Sequence, residues 1–218
     1  MEEGKVAGLK SLTILLGSIG VITIVGVTLY LLFAGPNYCP EIDNMNESNP
    51  ITEFSVQVVG DSLFGADADG CASVSTFMSL ILWLQVEDNS VPGATVIGDE
   101  SIPEQYVSGD WNWTVIDGGG NDIMPHCTEN DCDEVLDEII TDSGEGLIPD
   151  LVEKAQNDGS NVILIGYYSV PKGSEYEPVI LEVEIVNDRY NEFAKANEGV
   201  YFISLKDVMS PEETPELY

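Results

Sequence analysis

The apolar positions of the chain fall into blocks of two kinds. Residues 54–60 (FSVQVVG), 113–120 (WTVIDGGG), 161–168 (NVILIGYY) and 200–205 (VYFISL) are short runs rich in β-branched and aromatic residues, three of them closing in or near glycine. Runs of this length and content read as buried strands. A weaker strand is expected near residues 84–87. Between the runs the apolar residues recur at helical spacing, over 71–85 (CASVSTFMSLILWLQ), within 131–159, and over 178–199. The second of these regions has acidic residues early and Lys154 late, as the helix dipole favours, and the third ends at Gly199, a C-cap residue type. Strands that alternate with helices, without an internal repeat, predict an α/β protein with a three-layer α/β/α arrangement around a parallel sheet. In such sheets ligands bind outside the carboxyl ends of the strands.

The N-terminal part obeys a different pattern. Residues 12–33 (LTILLGSIGVITIVGVTLYLLF) carry no charge, and at about 1.5 Å per helical residue they span roughly the 30 Å of a bilayer core. A buried helix would show a polar face, which this segment lacks. The rival is a cleaved signal peptide; against it, the apolar run exceeds the usual signal core and Leu32 before Phe33 and Ala34 makes a poor cleavage site. The segment is therefore expected to be one uncleaved N-terminal transmembrane helix, a signal anchor. "GPNYC" is not a lipid-attachment motif. Lys5 and Lys10 precede the anchor and no Lys or Arg follows until Lys154, so the expected topology has a cytoplasmic N-terminus and an extracytoplasmic main domain. The expected organisation is a tail over 1–11, the anchor over 12–33, a Pro-, Asn- and Glu-rich linker over 34–53 and one domain over 54–218.

Charge and cysteine content narrow the partners. The 218 residues hold 39 acidic and 7 basic side chains, a formal net charge of −32. Such a surface repels phosphate backbones, which argues against nucleic acid, and it disfavours acidic substrates. The charge itself reads as a solvated surface suited to saline surroundings. On the oxidising side of a membrane, Cys39, Cys71, Cys127 and Cys132 are expected to form disulfides. Cys127 with Cys132 would close a short loop and leave Cys39 for Cys71; a zinc site of His126, Cys127 and Cys132 is the rival, without an evident fourth ligand. No cofactor is expected: GGG followed by Asn-Asp is not a dinucleotide fingerprint, no G-x-S-x-G elbow is present, and a flavin site lacks its Ser/Thr-rich phosphate loop after the first strand.

Two motifs fall at strand ends that should share one rim of the sheet. Gly60-Asp61-Ser62 follows the first strand and Gly119-Gly120-Asn121-Asp122 the third. A serine there can attack a carbonyl while its own N–H, the Asn121 side chain and the N–H of Gly93, in the turn NSVPGAT, stabilise the oxyanion. Each motif alone is an ordinary turn. Together VGDSL (59–63), NSVPGAT (89–95) and GGND (119–122) resemble the first three sequence blocks of the SGNH, or GDSL, hydrolases, a likeness covering roughly residues 54–218. The resemblance implies a flavodoxin-like sheet and ester hydrolysis, with Ser62 the nucleophile and Ser62, Gly93 and Asn121 the oxyanion hole. It implies small-molecule esters, lipids or acylated carbohydrates as substrates.

The family's last block, Asp-x-x-His, supplies the base, and no such block is present; after VYFISL the sequence runs KDVMSPEETPELY. Three readings stand: a chain cut short before that block, a catalytically inactive ester- or glycan-binding pseudoenzyme, or His126 as a substitute base. His126 is expected in a disulfide loop at the pocket rim. Trp111, Trp113, Tyr167 and Tyr168 read as core or rim packing.

Overall fold

The computed structural model describes residues 51–64, 75, 78–79, 84–127, 132–170, 173–174 and 177–207. The proposed anchor and residues 34–50 of the proposed linker, with Cys39 and Cys71, lie outside these residues, as does most of the helix expected over 71–85, of which 75, 78 and 79 are helical. As a correction, residues 51–53, expected to end the linker, are already strand. Among the described residues no helix is long and apolar enough to cross a membrane.

Five strands form one all-parallel sheet: β1 (Ile51–Val59), β2 (Leu84–Asp88), β3 (Trp113–Ile116), β4 (Asn161–Gly166) and β5 (Val200–Ser204). Their order is β2-β1-β3-β4-β5. All four strong strands and the weak one expected from the apolar runs are present. The helices are α1 (Ile102–Gln105), α2 (Gly120–His126), α3 (Asp133–Ile139), α4 (Leu147–Asn157) and α5 (Ile180–Ala196).

The central strands β3 and β4 are buried almost throughout because the sheet is covered there on both faces. Successive side chains point to opposite faces. On one, Val59, Ile116, Val162, Leu164 and Val200 pack against Ile102, Ile123, Leu136, Leu151, Val186 and Tyr190 from the five helices. On the other, Val56, Val58, Val115, Ile163 and Ile165 pack with Phe64, Met78 and Trp113. Gln57, a polar residue inside β1, is fully buried without cost: its amide donates to the Val107 carbonyl at 3.1 Å and its carbonyl accepts from the Val107 N–H at 3.2 Å.

Two short helices escaped the hydrophobic pattern. α1 has four residues and α2 opens on Gly120, so neither shows the repeat that announces a helix. As a correction, His126 is not in a loop but is the last residue of α2, exposed. The Cys127–Cys132 disulfide is present, with Cα atoms 4.7 Å apart, and joins the end of α2 to the residue before α3.

Candidate active site

The chain direction along the sheet reverses its order between β1 and β3, since β1 leads to β2 on one side and its other neighbour is β3. At such a switch point the loops after the two strands part and leave a crevice. Here the loops are Gly60-Asp61-Ser62 and Asp117 to Asn121.

Gly60 is held from both sides by Gln105 of α1, whose Oε1 accepts the Gly60 N–H at 2.7 Å and whose amide donates to the Gly60 carbonyl at 3.0 Å. No side chain fits at position 60, because a Cβ would lie 1.5 Å from Asp117 Oδ1. The next residue, Asp61, is buried and bends the chain: its Oδ1 accepts the Leu63 N–H at 2.8 Å and its carbonyl accepts the Phe64 N–H at 3.2 Å. This Asx turn puts Ser62 at its apex, exposed to solvent.

Asp61 Oδ2 faces the other loops. It accepts from the Tyr167 hydroxyl at 2.8 Å and from the Asn121 amide at 3.3 Å, while the second hydrogen of that amide goes to the Ala94 carbonyl at 2.9 Å. Behind it lies Asp117, whose Oδ1 accepts the Asp61 N–H at 2.9 Å and whose Oδ2 is buried without a hydrogen-bond partner. Burial pushes the Asp117 carboxyl well above the ordinary range, and the neighbouring Asp61 carboxylate adds to the shift. Asp117 therefore keeps its proton to a higher pH than an exposed aspartate does.

Asp122, the last residue of the GGND motif, points away from the crevice. Its Oδ2 accepts the Val96 N–H at 2.8 Å and its Oδ1 the Ile97 N–H at 2.9 Å, so the first turn of α2 anchors the loop after β2. Desolvation raises its carboxyl even though the two amides pull it down. In that loop Val91 N–H donates to the Gly60 carbonyl at 3.0 Å, and Ala94 N–H donates to the Val91 carbonyl at 2.9 Å. Pro92 and Gly93 occupy the middle of the resulting turn, where Gly93 has φ 83°, the positive value that position requires of a type II turn.

Asp61, Ser62, Leu63, Gly120, Asn121, Tyr167, Tyr168, Val170 and Val183 line a cavity of about 240 Å³. Ser62 and Asn121 thus meet in one cavity. Gly93 is exposed and is not one of its lining residues; it sits one residue before the Ala94 carbonyl that holds Asn121. His126, the one histidine of the sequence, is not a lining residue either. Among the described residues no cluster of His, Cys, Asp and Glu has metal-binding geometry.

The fold of the described residues is shared with solved structures. A catalytic mutant of an acetylxylan esterase from Geobacillus stearothermophilus superposes with a TM-score of 0.55 at 17% identity, over 77% of this chain and 82% of that one. The chain has the SGNH/GDSL hydrolase fold. A G-D-S-L family protein from Desulfitobacterium hafniense agrees, with a TM-score of 0.52 at 15% identity over 69% of this chain and 76% of that one. No family model and no curated protein matches the sequence, so the comparisons carry the SGNH/GDSL likeness by the fold alone.

Sequence reasoning passed over the residues that brace the crevice from behind. Tyr167, read as packing, lines the cavity and bonds Asp61. Asn187 of α5 fixes Tyr167 in turn, accepting its N–H at 2.9 Å and donating to its carbonyl at 3.2 Å. Tyr190, fully buried, donates to the Gly118 carbonyl at 3.0 Å. The available signal was position: Tyr167 is the first residue past the carboxyl end of β4, the rim where ligands bind.

Proposed function

We propose that the chain is a membrane-anchored, extracytoplasmic serine ester hydrolase acting on small esters, lipids or acylated carbohydrates. The observation that carries the reading is an exposed Ser62 held on the Asp61 turn and sharing one cavity with Asn121. The SGNH/GDSL fold supports it, and so does the acetylxylan esterase among the structures that superpose. The charge-free residues 12–33, with Lys5 and Lys10 before them, support the anchor and its orientation.

In the proposed reaction Ser62 Oγ attacks the ester carbonyl and gives its proton to a base. The carbonyl oxygen becomes an oxyanion that accepts from the Ser62 N–H, the Gly93 N–H and the Asn121 amide. Collapse of the tetrahedral intermediate breaks the bond to the leaving alkoxide, which takes the proton from the base. Water then hydrolyses the acyl-serine by the same steps. Asp61 is given no such role: its two oxygens accept the hydrogen bonds that hold the turn and Tyr167.

With no imidazole in the lining, slow chemistry is expected from these residues, and free imidazole should supply the base. A fluorophosphonate probe should label the protein at Ser62, faster with added imidazole, and Ser62→Ala should abolish the labelling. Asn121→Ala should slow it about 10²-fold, the usual cost of one oxyanion donor. Absence of any Ser62-dependent labelling, with or without imidazole, would refute the hydrolase reading. The lack of a histidine at the cavity would then favour a second reading, a pseudoenzyme that binds esters or glycans in the same crevice.

A further inference from the structure

Asn121 poses a difficulty for the proposed chemistry. Its side-chain amide has two hydrogens, and both are engaged within the protein, one with the Ala94 carbonyl at 2.9 Å and one with Asp61 Oδ2 at 3.3 Å. To meet an oxyanion, one of them must turn away from its present acceptor. The longer bond is the one that can be surrendered, provided Asp61 Oδ2 is not left buried and unsatisfied.

We propose that Tyr167 is the positioning residue that frees Asn121 for the oxyanion. This inference rests on the hydrolase reading of the site. The Tyr167 hydroxyl donates to the same oxygen, Asp61 Oδ2, at 2.8 Å, and accepts the Gly120 N–H at 2.8 Å. It therefore keeps Asp61 satisfied when Asn121 swings toward substrate, and it ties β4 to the first turn of α2, where Asn121 sits. The ring is locked for this task. Asn187 holds both backbone groups of Tyr167, and the ring lies so close over residue 120 that a Cβ there would come within 2.8 Å of its Cζ atom. That contact leaves no room for a Cβ at the third glycine of GGG unless the Tyr167 ring moves. Burial, with the charge of Asp61 next in weight, raises the phenol well above its ordinary value, so the hydroxyl remains a donor at every working pH.

Tyr167→Phe removes the hydroxyl and keeps the ring. Asp61 Oδ2 then depends on Asn121 alone, and the amide is sequestered. Two measurements read this. In proton–nitrogen NMR, one side-chain amide hydrogen of Asn121 should move downfield and exchange more slowly in Tyr167→Phe than in the wild type. Fluorophosphonate labelling of Ser62, in the presence of imidazole, should slow about tenfold. That loss should vanish when Tyr167→Phe is made in an Asn121→Ala background, because the two residues act on one step. Gly120→Ala, which pushes the ring off its seat, should reproduce both signatures and serves if Tyr167→Phe does not fold. An unchanged Asn121 amide, or a labelling loss that persists undiminished without Asn121, would overturn the assignment. If wild-type Ser62 takes no label, the hydrolase reading fails, and the amide signal alone decides whether Tyr167 governs Asn121.

Discussion

Asp117→Asn isolates the energetic consequence of placing two carboxyl groups side by side under the active-site turn. Asp117 is fully buried, its Oδ1 caps the Asp61 N–H, and its Oδ2 has no partner. Asparagine keeps the accepting oxygen, is nearly the same shape, and never ionises. Because desolvation raises the carboxyl of Asp117 in the folded state, the folded protein holds a proton that the unfolded chain releases above about pH 4. The sign follows: the stability contributed by this proton is complete below about pH 4 and is lost as pH rises toward the folded pKa. Within that window the loss is about 1.4 kcal/mol per pH unit, or about 3 to 5 °C in Tm for a domain of this size. Asp122, whose carboxyl is also raised by burial, contributes with the same sign but is present in both proteins and cancels in the difference. Thermal melts of wild type and Asp117→Asn from pH 4 to pH 9 should therefore coincide at the acidic end. The variant should pull ahead with each unit of pH, and the gap should level off where Asp117 ionises in the folded protein. Parallel melting curves across the whole range would refute the reasoning, since they would mean that Asp117 titrates as an ordinary exposed carboxylate.

Asp122→Ala should cost about 2 to 4 kcal/mol in chemical denaturation, because it leaves the Val96 and Ile97 amides without acceptors. It should also slow fluorophosphonate labelling of Ser62, since the loop that carries Gly93 and the Ala94 carbonyl loses its anchor. Replacing Cys127 and Cys132 together by serine opens a loop of sequence separation 5 and should lower stability by about 2 kcal/mol, measured in urea, without altering the pH dependence attributed to Asp117.

How much of this could be read along the chain depends on the range of the interaction concerned. Four of the five strands were legible because each holds a short run rich in apolar residues, which is what burial on both faces of a parallel sheet demands. β2, the sequence LQVED at the edge of the sheet, gave only a weak signal. The turns that carry Ser62 and Asn121 and the Cys127–Cys132 pair were legible for a related reason: each is set in a local pattern, Gly-Asp-Ser after one strand, Gly-Gly-Asn-Asp after another, two cysteines in one short loop. The helices α1 and α2 were not, being too short for a hydrophobic repeat to emerge.

The residues that make the crevice work are brought together across long stretches of sequence. Tyr167 meets Asp61 across 106 residues, Asp61 meets Asp117 across 56, and Gly60 is clamped by Gln105 across 45. A tyrosine after a strand or an aspartate before three glycines carries no mark of these meetings. What the linear sequence determined was which segments must be buried and where the chain must turn, since both follow from the side chains present within a few residues. Which polar groups then share a buried oxygen, and so which carboxyl keeps a proton and which amide can be released, was decided by the strand order that puts the ends of β1, β3 and β4 at one rim. Burial at that rim removes water as the alternative partner, and each polar group must find its hydrogen bond among whatever neighbours the sheet supplies.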